Sequence, residues 1–407
     1  MKINILLTFT LSALLGITAA GGAVVPHDDS FYDVPQDVDK YSPGQVLLTR
    51  IVPHSLKLDN IDSAYQIKYR TTNSLDKATA TVTTLLIPTN ARLDKIISYQ
   101  VAEDSAWIGC APSYTLQTSG DDTIQSLLDR GYVVNVPDYQ GIDSAFTAAI
   151  LSGKATLDSL RAVQRTQNLT GIAHDAKMVM TGYSGGSLAT GWAAELQPTY
   201  APELKILGAA VGGFIVNVSA VALNVNKGLE AGFVPAGLYG LAVEYPAIAK
   251  LEITNLKNDR VQYFRQALDQ CVTNDLLSFA FQDVFSYWEG GEGIMYLPEV
   301  QKIMQSITMG SHTPQIPMFV YQGLKDEVIP YHYVDETIND YCVDGATIEY
   351  WRNPDTSHTE EASVGWNYAI QWLEGRFQGR NHTTGCHTKT NVQTTLSLPP
   401  YQPAPTP

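Results

Sequence analysis

Short apolar runs alternate with helix-spaced segments through the first half of this chain, and that rhythm restricts the fold more than any other feature. The stretches "AYQIKYRTT" and "ATATVTTLLIPT" alternate in polarity, as half-buried strands do. "KIISYQVAE" is an apolar run that ends in acidic residues. "TIQSLLDRGY" has helical spacing, and "YVVNVPDYQG" is a buried strand closing in a Pro/Gly turn. Residues 153–168 read as a helix. "AKMVMTG" reads as a strand, "SLATGWAAELQPTYAP" as a helix ended by its prolines, and "KILGAAVGG" as another strand. Strands alternating with helices predict an α/β fold: a mostly parallel sheet with helices on both faces.

The rhythm stops at about residue 216. From there to about 310 the chain is apolar, rich in Ala, Gly and Pro, and then carries amphipathic helices such as "RVQYFRQALDQC" and "LPEVQKIMQSI". No strand is evident there, so 216–310 is expected to be a helical cap or lid inserted into the sheet domain. The α/β pattern resumes over 311–387 with "IPMFVYQGLKDEVIP", "ATIEYWRNPDTSH" and the helix "GWNYAIQWLEGRF". The first part of the core then covers 21–215, with 21–45 as an N-terminal arm. Residues 388–407 form a polar, proline-rich tail, expected to be extended or loosely ordered.

The first twenty residues, "MKINILLTFTLSALLGITAA", combine an early lysine, a short apolar core and small residues suited to cleavage near Ala20. That is the form of a secretory signal peptide, and the apolar run is too short to span a membrane. Export puts Cys110, Cys271, Cys342 and Cys386 in an oxidising compartment. None forms a CxxC pair, which argues against zinc, and sequence order favours Cys110–Cys271 and Cys342–Cys386. Sequons at Asn168, Asn217 and Asn381 fit glycosylation of a secreted protein. A formal charge of −15 argues against a nucleic-acid partner, which needs clustered Lys and Arg.

Gly182-Tyr183-Ser184-Gly185-Gly186 matches G-x-S-x-G. At ordinary Gly and Ser usage a chain this long shows the pentapeptide by chance roughly one time in seven. Its placement between an apolar strand and a helix is the informative part. A nucleophile on a tight strand-to-helix turn needs small neighbours, and the following helix aims N–H groups at a developing oxyanion. A serine hydroxyl needs a base, and the base needs an orienting acid. In the α/β-hydrolase order these follow as Asp or Glu, then His. Asp326 lies just past the strand "FVYQG", with Glu327 as the neighbouring alternative. His358 follows a strand and precedes a helix. His332 lies too near Asp326 in sequence, and His382 and His387 crowd a sequon and a cysteine at the edge of the tail. The Gly185 N–H supplies one oxyanion donor. A second is expected from "IISYQVAEDSAWIGC", which holds no HGGG-like run.

The segments "SYQVAEDSAWIGCAPSY", "VPDYQG", "GYSGGSLATGWAAEL", "GLKDEVIPY" and "SHTEEA" together resemble the yeast and fungal secretory lipases, the lipase-A-like branch of the α/β-hydrolases. The resemblance covers most of the mature chain. It implies a hydrolase of triacylglycerols or carboxylic esters, with Ser184, Asp326 and His358 as the triad and no metal or organic cofactor. It further implies a cap over an acyl-binding tunnel. Asp104, with Glu103 as the alternative, would act in the oxyanion hole as a protonated carboxyl, which favours mildly acidic pH. The family's two disulfides map onto Cys110–Cys271 and Cys342–Cys386. The expected partner is a lipid or ester substrate, with an oil–water interface as one setting, and the expected form is a secreted monomer. A broader carboxylesterase or an acyltransferase using the same triad is the alternative.

Overall fold

The computed structural model describes residues 22–380 and 384–390. The expected signal peptide, Asn381, His382 and the tail beyond Thr390 lie outside the described residues.

Among the described residues, ten strands form a single sheet in the order β1-β2-β3-β5-β4-β6-β7-β8-β9-β10. They are β1 (Val46–Ile51), β2 (Ile61–Thr72), β3 (Ala78–Pro88), β4 (Arg92–Gln100), β5 (Tyr132–Pro137), β6 (Lys177–Tyr183), β7 (Ile206–Gly212), β8 (Met318–Gly323), β9 (Ile348–Asn353) and β10 (Cys386–Thr390). The first three run antiparallel, and β3 pairs antiparallel with β5. From β5 through β10 every neighbouring pair is parallel. This is the α/β-hydrolase architecture, with its long parallel half carrying the loops at one end.

The parallel strands are apolar on both sides because helices cover both faces. Side chains alternate across a strand, and β6 shows the effect. Met178 and Met180 enter a core shared with Leu157, Leu160, Leu188 and Trp192. Val179 points the opposite way, into a core with Ile124, Leu127, Tyr368 and Leu373. Helices Ala149–Gln164 and Gly185–Tyr200 therefore cover one face, and Asp122–Asp129 and His358–Phe377 the other. Ser357 begins the last of these with a reciprocal capping box to Glu360. A Ser→Ala change at such a cap costs about 1 kcal/mol, so the helix start, and His358 with it, is fixed locally.

Several boundaries differ from the sequence reading. The helix expected over 153–168 runs from Ala149 to Gln164, and a separate short turn follows at Gln167–Thr170. Pro198 does not end its helix, which continues to Tyr200. A proline in the last turn removes only one late hydrogen bond. "RVQYFRQALDQC" is not one helix: Val261–Phe264 gives way to the 3-10 turn Arg265–Leu268, so that Phe264 and Ala267 are both buried. Strand β1 was not anticipated, because its mixed exposure hides the two-residue period. The tail boundary at 388 falls inside β10. Cys342–Cys386 brings this segment to the sheet edge, and Arg352 donates to Thr390 Oγ1 at 3.0 Å.

Between β7 and β8 the chain leaves the sheet. The helices Val218–Val225, Phe233–Glu244, Pro246–Asn255, Val272–Phe279 and Pro298–Ser306 lie in this excursion, with shorter turns between them. Its apolar residues, among them Val234, Leu238, Phe285 and Met304, join the same core as Leu188 and Trp192. Cys271 within it is bonded to Cys110 in the loop after β4. No described helix is long and apolar enough to cross a membrane.

Candidate active site

Ser184 sits between β6 and the helix Gly185–Tyr200. Its φ of 52° and ψ of −122° are strained for a residue with a side chain, a conformation that costs on the order of 1–3 kcal/mol and persists only where the surroundings enforce it. Two contacts enforce it here. The Ser184 N–H donates to the Gly212 carbonyl at 3.0 Å, and a Cβ on Gly186 would stand 1.9 Å from the Gln100 carbonyl oxygen. The helix thus starts directly against β4, with Ser184 at its N-terminus, where the first N–H groups of a helix lack intrahelical acceptors.

His358 Nε2 lies 2.9 Å from Ser184 Oγ, and its Nδ1 lies 2.9 Å from Asp326 Oδ2. The Asp326 side chain is fully buried. Its other oxygen accepts from the N–H groups of Val328 (3.0 Å) and Ile329 (2.7 Å). Glu327, the alternative acid, is turned away from the ring and accepts from the His358 backbone N–H at 3.0 Å. The other histidines considered stand apart: His332 is exposed on helix Tyr331–Val343, and His387 is exposed on β10. Tyr183 holds the base from behind. Its hydroxyl donates to the His358 carbonyl at 2.5 Å, and its ring packs 5.2 Å from the imidazole.

Asp104 faces this group from the loop after β4. Its φ is 47°, it is 5% exposed, and its Oδ1 has no protein partner. A Cβ on Gly185 would lie 1.7 Å from that oxygen, so the carboxyl rests on the first turn of the serine's helix and only glycine leaves it room. Burial pushes the Asp104 carboxyl up to about 7, partly offset by His358. A carboxyl held near neutrality can carry a proton and donate it in a hydrogen bond, which an ionised one cannot. Gln140, oriented to satisfy both halves of its amide, accepts from the Asp104 N–H at 3.2 Å and donates to the Ser105 carbonyl at 2.7 Å. The Asp104 N–H is thereby occupied, leaving the carboxyl as the group free to meet a ligand. Glu103 is also buried, and its carboxyl is raised well above the usual range by burial and by neighbouring Asp138 and Asp104.

The loop is tied to the excursion between β7 and β8. Ser105 Oγ donates to the Gln270 carbonyl at 3.0 Å, one residue before the Cys110–Cys271 bond. An apolar cavity opens beside Ser184 and Asp104, walled by Phe146 and Leu188 from the sheet domain and by Val234, Leu238, Met295 and Met304 from the excursion. Among the described residues no group of three or more His, Cys, Asp or Glu side chains is placed to hold a metal ion. The Asn168 sequon lies on an exposed turn. Asn217 caps the helix Val218–Val225 through Oδ1, which accepts from the Ala220 N–H at 3.0 Å.

Gln322, Tyr183 and Gln140 did not emerge from the sequence reading. Gln322 carried a faint signal, a polar side chain inside the apolar run "IPMFVYQG".

The model of the family described as "Secretory lipase" matches residues 110–385. Lipase A of Arthroderma benhamiae is 36% identical over 399 residues, covering 93% of this chain and 85% of that protein. A trichothecene C-3 esterase of Fusarium sporotrichioides is 36% identical over 422 residues, covering 96% and 94%. Among solved structures, lipase A of Candida antarctica in its closed state superposes with a TM-score of 0.84 at 31% identity, over 90% of this chain and 89% of that one.

Proposed function

Since the chain belongs to the secretory lipase family and is a hydrolase of carboxylic esters, we propose that it works through an acyl-enzyme on Ser184. In this reading Ser184 Oγ attacks the ester carbonyl while His358 Nε2 takes the hydroxyl proton. Asp326 holds the imidazole in the tautomer that leaves Nε2 free and stabilises the cation that forms. The tetrahedral oxyanion accepts from the Gly185 N–H and from the protonated Asp104 carboxyl. His358 then gives its proton to the departing alcohol. Water, deprotonated by the same nitrogen, attacks the acyl group and regenerates the serine.

The observation that carries this reading is the pair of 2.9 Å contacts that His358 makes with Ser184 and Asp326. The apolar cavity at the serine supports an acyl chain as its occupant, with the helical segment 216–310 acting as the cap that selects it. Triacylglycerol is the substrate class such a cavity fits best. The protein is extracellular, as its family and its two disulfides indicate. We further propose that residues 1–20 are removed on export, that Asn168 is glycosylated, and that the enzyme acts as a monomer.

Ser184→Ala should lower p-nitrophenyl butyrate hydrolysis by at least about 10⁴-fold and abolish labelling by a fluorophosphonate probe. Retained turnover in the purified variant would overturn the assignment. Comparing tributyrin, a long-chain triacylglycerol and a peptide tests the substrate class, and preference for the peptide would remove the acyl reading.

A further inference from the structure

Gln322 is the next-to-last residue of β8 and has no exposed surface. A primary amide buried in a parallel strand is costly unless both halves are bonded. Here both are. Its Oε1 accepts from the Phe214 N–H at 2.9 Å, and its Nε2 donates to Asp326 Oδ2 at 2.8 Å and to the Gly323 carbonyl at 3.4 Å. The orientation follows from chemistry, because a backbone N–H can only donate and so requires the amide oxygen.

The Asp326 oxygen that Gln322 holds is the one that accepts from His358 Nδ1. With Val328 and Ile329 on the other oxygen, three hydrogen bonds hold the carboxylate independently of the histidine. The amide's other end sits where the chain leaves β7 for the cap. Gly213, at a φ of 49°, precedes Phe214, and Ser187 binds the same turn through the Gly213 carbonyl and the Ile215 N–H. We infer that Gln322 is a positioning residue for the acid of the triad, and that it ties the setting of that carboxylate to the root of the cap at Phe214. The inference rests on the triad reading above.

Two variants of the full-length protein test it on soluble p-nitrophenyl butyrate. Gln322→Met keeps the length of the side chain but removes all three of these hydrogen bonds. It should lower kcat about 10- to 100-fold, the order expected when a catalytic group is misplaced, with KM within about twofold and fluorophosphonate inactivation slowed in step. Gln322→Glu supplies the missing donor only while the introduced carboxyl is protonated. The titratable groups around it are Asp326 and His358, with Glu361, Glu327 and Tyr183 behind them. Ionisation would set a second negative charge against Asp326 and leave no proton for the required hydrogen bond. Burial and the Asp326 charge both raise the introduced carboxyl, so activity should match the wild type where that carboxyl is protonated and show an added alkaline fall as it ionises. A melting curve establishes that each variant is folded, and if Gln322→Met does not fold, the Glu variant decides alone. A folded Gln322→Met with kcat within twofold of wild type, or a Glu variant with the wild-type pH profile, would overturn the inference. Ser184→Ala is run alongside. An active Ser184→Ala removes the triad reading itself, whereas an inactive one beside a fully active Gln322→Met removes only the role of Gln322.

Discussion

A protonated carboxyl can donate a hydrogen bond to an oxyanion, and an ionised one repels it. Asp104 stands at that boundary, because burial lifts its titration to about 7. The donor form is present below that value and is lost as pH rises through it, so kcat/KM should decline on the alkaline side of about 7. Asp104→Asn keeps an N–H donor at every pH, so the decline should disappear from its pH–rate profile. Asp104→Leu should lose about 10²–10³ in kcat, as when one oxyanion donor is removed. An alkaline limb that survives in the Asn variant would show that another group sets it. Gln140 already occupies the Asp104 N–H, so the carboxyl is the part of Asp104 left to donate.

At the level of elements, the two disulfides make opposite demands. Cys342–Cys386 closes a separation of 44 residues and secures an edge strand, whereas Cys110–Cys271 closes 161 and joins the excursion between β7 and β8 to the loop that carries Asp104. The chain-entropy model assigns them roughly 4 and 5 kcal/mol of stabilisation. Paired Cys→Ser changes at 342 and 386 should lower Tm and leave kcat nearly intact. The same changes at 110 and 271 should lower both, read by calorimetry and ester hydrolysis at a temperature where each variant is folded. Sequence reading served the parallel strands well for a physical reason: β6 and β7 are bounded apolar runs, and few other structures use them. It served β1 poorly, since an edge strand with mixed exposure has no clear period. It named Ser184, Asp326 and His358 from chain order, and the structure brings these three together. Gln322 escaped it because its importance lies in contacts with residues more than a hundred positions away as well as four away. No local pattern encodes the first kind.

For the molecule as a whole, buried carboxyls set the response to pH. Burial raises Asp138 and Asp275 to about 7 and Glu252 to about 8, in addition to Asp104 and Glu103. Each is raised relative to the unfolded chain, so the folded protein binds protons more tightly. Stability from these groups is fully present below about pH 4 and is lost as pH rises through about 7 to 8. The lowered carboxyls Glu203, Asp283 and Glu360 are exposed or half-exposed and screened, and oppose this weakly. Tm at pH 5 should exceed Tm at pH 8 by about 5 °C or more, and the reverse order in calorimetry would contradict it. Chain order has a separate effect during synthesis. The three groups of the proposed triad come from strand ends far apart in sequence, and the histidine comes last, after residues 216–310 and after the acid. On that proposal, a ribosome that has not yet delivered the helix His358–Phe377 has made no catalyst. On the same proposal, the assembled site exists only once the helix His358–Phe377 has been made.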